Sequence, residues 1–155
     1  MAHAVTKATR ISEIMTTDPV TVSPSDNLRE VARIFDANEI SGAPVIDGSG
    51  QAIGVISRTD IMHHLLAGRP DRRDISLFEL IAEGVVIGRG DEVEAIGHVE
   101  DAMTTDPLTM SPDDPISQAA RRMAQAHVHR ILIVSESQGL LGIVTSMDIL
   151  RVFPH

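Results

Sequence analysis

Apolar residues recur along this chain in two rhythms, and those rhythms appear in the same order near each end. Val20 to Val22 form a short apolar segment, followed by a polar turn containing proline. Leu28, Val31, Ala32 and Phe35 then fall at the i, i+3, i+4, i+7 spacing of one helix face. Two continuously apolar segments come next, Ala43 to Ile46 and Ala52 to Ile56, and both read as strands. Asp47-Gly48-Ser49-Gly50 between them has the composition of a hairpin turn. A second helix is predicted to begin near Arg58.

The whole pattern returns 88 residues later, without a gap, as residues 11–62 against 99–150. Met15-Thr16-Thr17-Asp18-Pro19 recurs as Met103-Thr104-Thr105-Asp106-Pro107, Gly54 as Gly142, and Asp60-Ile61 as Asp148-Ile149. The second copy has its apolar segment at Leu108 to Met110 and its helix stripe at Ile116, Ala119, Ala120 and Met123. Its strands are Ile131 to Val134 and Leu140 to Val144, and its final helix begins near Ser146. Asp26 and Asp114 are the expected N-caps of the first helices, with Pro115 at the first helical position. The chain is therefore two copies of one β-α-β-β-α unit, an α/β (α+β) fold. Strands so short and so continuously apolar are buried on both faces, which two units packed sheet against sheet would achieve.

The expected organisation is an N-terminal tail at 1–10, repeats at 11–65 and 99–153, and a connector at 66–98. Ile75, Phe78, Leu80 and Ile81 suggest a short helix in the connector, while 84–97 reads as a loop or as an extended Val85-Val86-Ile87 stretch.

Composition narrows the function. The net charge is −9, spread as −3 over each of 1–65, 66–98 and 99–155, so no basic face speaks for nucleic acid. Trp and Tyr, the larger platforms for stacking bases, are absent. No cysteine is present, which removes disulfides, thiolate metal sites and a cysteine nucleophile. No apolar run approaches the roughly 20 residues that span a bilayer, and Met1 to Arg10 lack the apolar block of a secretory signal. The expected location is the cytoplasm.

The strongest chemical signal is the turn from each last strand into its helix. Gly54-Val55-Ile56-Ser57-Arg58-Thr59-Asp60 matches Gly142-Ile143-Val144-Thr145-Ser146-Met147-Asp148. A helix N-terminus offers free N–H groups and partial positive charge to a phosphate. A carboxylate one turn on can accept both hydroxyls of a ribose. The same residues also resemble a capping box, which needs no ligand. His127 and His129 lack a third partner for a metal, and none is expected. Gly88-Arg89-Gly90 lacks the third glycine of a dinucleotide loop.

These motifs, the Met-Thr-x-Asp-Pro entry, the β-α-β-β-α order and the Gly-h-h-(Ser/Thr)-x-x-Asp turn, resemble cystathionine-β-synthase (CBS) domains. The resemblance covers 11–65 and 99–153, a tandem pair called a Bateman module. It implies two clefts between the repeats that take AMP, ADP, ATP or S-adenosylmethionine. It implies ribose ligands at Asp148 and Asp60 and phosphate ligands at Thr145 and Ser57. The segment His127-Val128-His129-Arg130-Ile131 resembles a phosphate-facing segment, which adds Arg130 and His129. Residues Thr17 to Val20 and Ile40, Ser41, Gly42 and Ala43 would line the Asp148 cleft, expected to be the better nucleotide site. Thr105 to Leu108 and Val128 to Ile131 would line the Asp60 cleft.

The resemblance implies a regulatory adenine-nucleotide sensor that forms a homodimer and acts on a partner the sequence does not name. A ligand-independent dimerisation scaffold with empty clefts is the alternative. An enzyme is not expected, since no nucleophile elbow, HExxH or Walker A loop occurs.

Overall fold

The helix stripes become buried faces. In a computed structural model that describes residues 10–67 and 97–152, Leu28, Val31 and Phe35 of helix α1 (Leu28–Asn38) are at most 1% exposed. Ile116, Ala119 and Met123 of helix α4 (Ile116–Ala126) are likewise buried, at most 6% exposed. Both helices end on a left-handed residue, Glu39 at φ 54° and His127 at φ 57°. The next N–H reaches back to close the last turn, from Ile40 to the Phe35 carbonyl (2.9 Å) and from Val128 to that of Met123 (3.1 Å). Ile40 and Val128 then pack on the cores beneath.

The helix starts differ from the expected ones. Asn27 caps α1, its Oδ1 accepting the Arg29 N–H at 2.8 Å. Pro115 is itself the cap of α4 rather than its first residue. Asp26 and Asp114 instead accept the N–H groups of Ser23 (2.8 Å) and Ser111 (2.9 Å), three residues before them. A short carboxylate closes that preceding turn more readily than it reaches past it into the helix.

The strand hairpins fall where the apolar segments lie. β2 (Gly42–Ile46) pairs antiparallel with β3 (Ala52–Ser57), and β6 (Arg130–Val134) with β7 (Leu140–Thr145). Ile131, Leu132, Ile133 and Val134 are buried in succession, so β6 is covered on both faces. β5 (Thr109–Met110) runs parallel to β6. In the first copy the equivalent segment narrows to one bridge between Val22 and Val45. Helices α2 (Arg58–Ala67) and α5 (Ser146–Leu150) follow β3 and β7.

The first residues of each repeat belong physically to the other. β1 (Thr16–Thr17) pairs with β7, and β4 (Thr104–Thr105) with β3. The sheets are thus β2-β3-β4 and β1-β7-β6-β5. A 3-10 turn at Ile11–Glu13 and helix α3 (Val99–Ala102) precede these crossing strands. The Ile11 N–H donates to the Asp114 carbonyl and the Val99 N–H to that of Asp26, both at 2.9 Å. Ile11, fully buried, completes the core built on Met110, Ile116, Ile133 and Ile149, while Val99 completes the core of Leu28, Phe35 and Ile56.

The result is the α+β pair of repeats read from the sequence, with two sheets and five helices among the described residues. The expected connector helix, the stretch at 84–97 apart from Gly97, and the tail up to residue 9 lie outside the described residues.

Candidate functional site

At the last register pair of each hairpin, Gly42 stands opposite Ser57 and Arg130 opposite Thr145. The chain turns there into a helix, and the first helical N–H is tied to the residues leading into the partner strand. Arg58 donates to the Ser41 carbonyl and Ser146 to that of His129, both at 2.9 Å. Both turns are reciprocal capping boxes. Asp60 Oδ2 accepts the Ser57 N–H (2.9 Å), and Ser57 Oγ accepts the Asp60 N–H (3.1 Å). Asp148 Oδ2 and Thr145 Oγ1 repeat the exchange at 2.9 and 3.2 Å. One carboxylate oxygen of each Asp is thereby engaged locally, and the other points elsewhere.

What surrounds that second oxygen differs between the copies. Asp148 Oδ1 meets the Arg151 guanidinium at 3.4 Å, one turn along α5, with Arg151 itself largely in solvent. Asp60 instead lies close enough to Arg130, from the other repeat, for its charge to act on that guanidinium. Burial pulls Arg130 below the usual arginine range, and Asp60 pushes back the other way. Arg130 Nη2 also donates to Ser41 Oγ at 2.7 Å. One side of the seam thus gathers Ser41, Gly42, Ser57, Asp60 and Arg130 from both repeats.

The crossing strands add to each side. Thr105 pairs with Gly54 on the β3 strand that leads to Asp60, and Thr17 with Gly142 on the β7 strand that leads to Asp148. Both threonines are exposed, while Val20 and Leu108 are half-buried. Leu108 packs on the second core and its carbonyl accepts the Leu132 N–H at 3.0 Å. Ile40 leans on the first core and Ala43 is fully buried within it, so Ala43 has no side-chain surface for a ligand.

His129 is not gathered with Arg130. Together with Val128 it lines a groove of about 470 Å³ between α4 and α5, with Met123, His127, Ile149 and Leu150. No group of three or more His, Asp or Glu among the described residues is arranged to hold a metal ion. Among those residues no helix is long and apolar enough to cross a membrane. Two contacts escaped the sequence reading. The Asp148–Arg151 pair was visible as an i, i+3 spacing on a helix, whereas the Arg130–Ser41 bond joins residues 89 apart and had no local signal.

Comparison with known proteins places these features in a family. The model of the CBS domain matches twice, at 11–67 and at 99–155. An uncharacterized protein of Methanocaldococcus jannaschii is 30% identical over 143 residues, covering 86% of this chain and 84% of its own. Larger relatives, including inosine-5'-monophosphate dehydrogenases and the γ-3 subunit of the 5'-AMP-activated protein kinase of Bos taurus, are spanned over only 20% to 35% of their length. Among solved structures, Arabidopsis thaliana CBSX2 in complex with AMP has a TM-score of 0.68 at 24% identity, covering 92% of this chain and 93% of that one. The CBS domain pair of protein MJ0100, in complex with 5'-methylthioadenosine and S-adenosyl-L-methionine, has a TM-score of 0.68 at 22% identity over 92% and 94% of the two chains. CBS pairs are regulatory modules rather than catalytic ones. With two matched repeats, their exchanged first strands and a capped turn at the head of each last helix, this chain belongs to the CBS domain family.

Proposed function

We propose that this chain is a regulatory module that binds an adenine nucleotide between its repeats and signals through their relative packing. The observation that carries the reading is Arg130, a partly desolvated cation lying across the seam towards Asp60 of the other repeat. A guanidinium so placed suits a phosphate, and Asp60 with Ser57 suits a ribose and the phosphate attached to it. The ligands named for the CBSX2 and MJ0100 structures are all adenosine compounds.

This reading prefers the Asp60 side over the Asp148 side favoured from sequence. Arg130 is on the Asp60 side, Asp148 is already paired with Arg151, and α2 has ten residues against five in α5. Thr145 and Asp148, with Thr17, Val20 and Ile40, belong to the secondary cleft, while Ser41 stands on the Asp60 side with Arg130. Thr105 and Leu108 border the primary one. A homodimer, a partner protein and a cytoplasmic setting belong to the same reading. Leu150 in the α4–α5 groove and Met147, each 55% exposed, are the apolar surface such a dimer would cover. A ligand shifts the packing only by binding one arrangement more tightly than another.

A thermal-shift panel tests this with AMP, ADP, ATP, S-adenosylmethionine, adenosine and GTP, alongside sedimentation for the dimer. A ligand at a hundred times its Kd adds about 2.7 kcal/mol, which raises the midpoint by roughly 5–10 °C for a chain of this size. An adenine-selective shift is the expected result. The reciprocal capping bonds support a second reading, because they account for Ser57, Asp60, Thr145 and Asp148 without any ligand. No shift across the panel, in ligand-free protein, would establish that dimerisation-scaffold reading instead.

A further inference from the structure

Position 42 carries no side chain, and the space one would occupy is filled by Arg130. A Cβ on Gly42 would lie 2.6 Å from Arg130 Cζ, 2.7 Å from Nε and 2.9 Å from Nη1. Gly42 has no left-handed backbone, so the close approach, not conformational freedom, explains the glycine. The neighbouring Ser41 hydroxyl accepts from Nη2 of the same guanidinium. The arrangement is one-sided, because Gly42 and Arg130 are each other's counterparts at the offset of 88 residues. One repeat supplies the guanidinium and the other supplies the gap that receives it.

We propose that Ser41 and Gly42 form a seat for the Arg130 guanidinium, and that this seat determines whether the module distinguishes phosphorylated adenosine ligands from adenosine. The inference rests on the nucleotide-binding reading above and deepens it. Seated, the guanidinium lies on the Asp60 side of the seam, near the α2 start at which Ser57 and Asp60 stand. Ser41 engages one of its five N–H donors. A phosphate can engage two at once and carries the opposite charge. The exposed, neutral Ser41 bond yields to such an anion. Gly42 is therefore a positioning residue, acting on the ligand only through Arg130.

A methyl group at position 42 unseats Arg130 while leaving the Ser57 and Asp60 turn untouched. The atoms it meets are the far end of a flexible side chain, so the arginine gives way rather than the strand. Titration calorimetry on the full chain would compare AMP, ATP and adenosine binding in wild type, Gly42→Ala, Arg130→Ala, Ser41→Ala and Ser41→Thr. The nucleotide-to-adenosine affinity ratio should fall about tenfold in Gly42→Ala and Arg130→Ala, the scale of one charged hydrogen bond. It should fall less in Ser41→Ala and be retained in Ser41→Thr, which keeps the hydroxyl. Adenosine affinity should not change in any of them. A wild-type ratio in Gly42→Ala, or a parallel loss for adenosine, overturns the seat. Should Gly42→Ala not fold, an unchanged ratio in Ser41→Ala overturns it equally. A wild type that binds none of the three ligands sinks the nucleotide reading itself. A wild type that binds nucleotides with no preference over adenosine sinks only the seat.

Discussion

Asp47 shows how one side chain can organise a turn and give it a pH response. Its Oδ1 accepts the Ser49 hydroxyl (2.7 Å) and the N–H groups of Ser49 (2.9 Å) and Gln51 (3.0 Å). The Ser49 hydroxyl, then those backbone donors, hold its carboxyl below the ordinary value of 3.8. Because the folded value is depressed, the charged form's stabilisation is fully present above the unfolded value and is lost as pH falls through the folded one. The stability difference between wild type and Asp47→Ala should therefore be constant above about pH 5 and shrink below about pH 4. Urea titrations across that range measure it, and a difference that does not change with pH would refute the carboxylate's role. In the second copy Ser135 holds the matching turn, its hydroxyl accepting the Gly139 N–H at 3.1 Å. A hydroxyl does not titrate here, so only the first hairpin carries this acid sensitivity.

At the scale of elements, the crossing strands are the tightest joints. A Cβ on Gly142 would lie 2.6 Å from the Thr16 carbonyl oxygen, and one on Gly54 2.8 Å from that of Thr104. These neighbours are backbone and cannot swing away as Arg130 can. Gly142→Ala should cost about 1–3 kcal/mol, the range of overpacking, whereas Gly48→Ala, with nothing within 4 Å, should be near neutral. Equal costs in chemical denaturation would refute the joint. The helices and hairpins were legible in the sequence, because α1 and α4 announce themselves by local period and the four long strands by continuous apolar runs. The crossings were not, since Thr16 and Thr104 carry no mark of which β-strand they join. Nor were the caps, where Asn27 and Asp26 are equally good candidates and only the turn decides between them. Of the candidate site, the two helix-start turns were legible from their repetition. The asymmetry between Arg130 against Asp60 and Arg151 against Asp148 was not, because it depends on how the repeats lie together.

For the whole molecule, the two cores are coupled through borrowed residues. Ile11 precedes the first repeat's elements yet is buried among the second's, and Val99 does the reverse. Neither half completes its core alone, so thermal unfolding should be one transition in calorimetry, with equal calorimetric and van't Hoff enthalpies. Ile11→Ala should lower that single midpoint, at a cost of about 2–5 kcal/mol, rather than split off one half. Two resolved transitions would refute the coupling. This coupling would also give a ligand at the proposed seam site its leverage, since whatever moves one repeat pulls on strands embedded in the other.

The exchange of opening segments has a consequence for how such a chain could arise. A single unit on its own would project Ile11 to Thr17 outward and leave one edge of its own last strand unpaired. Two separate copies would satisfy each other by trading those segments, as an interleaved homodimer. Joining them end to end changes no contact and makes the pairing permanent. Once joined, the copies are free to diverge, so that one can keep an arginine where the other keeps a glycine. Separate identical subunits have no such freedom, and the guanidinium seat is an asymmetry that two copies of one unit could not hold.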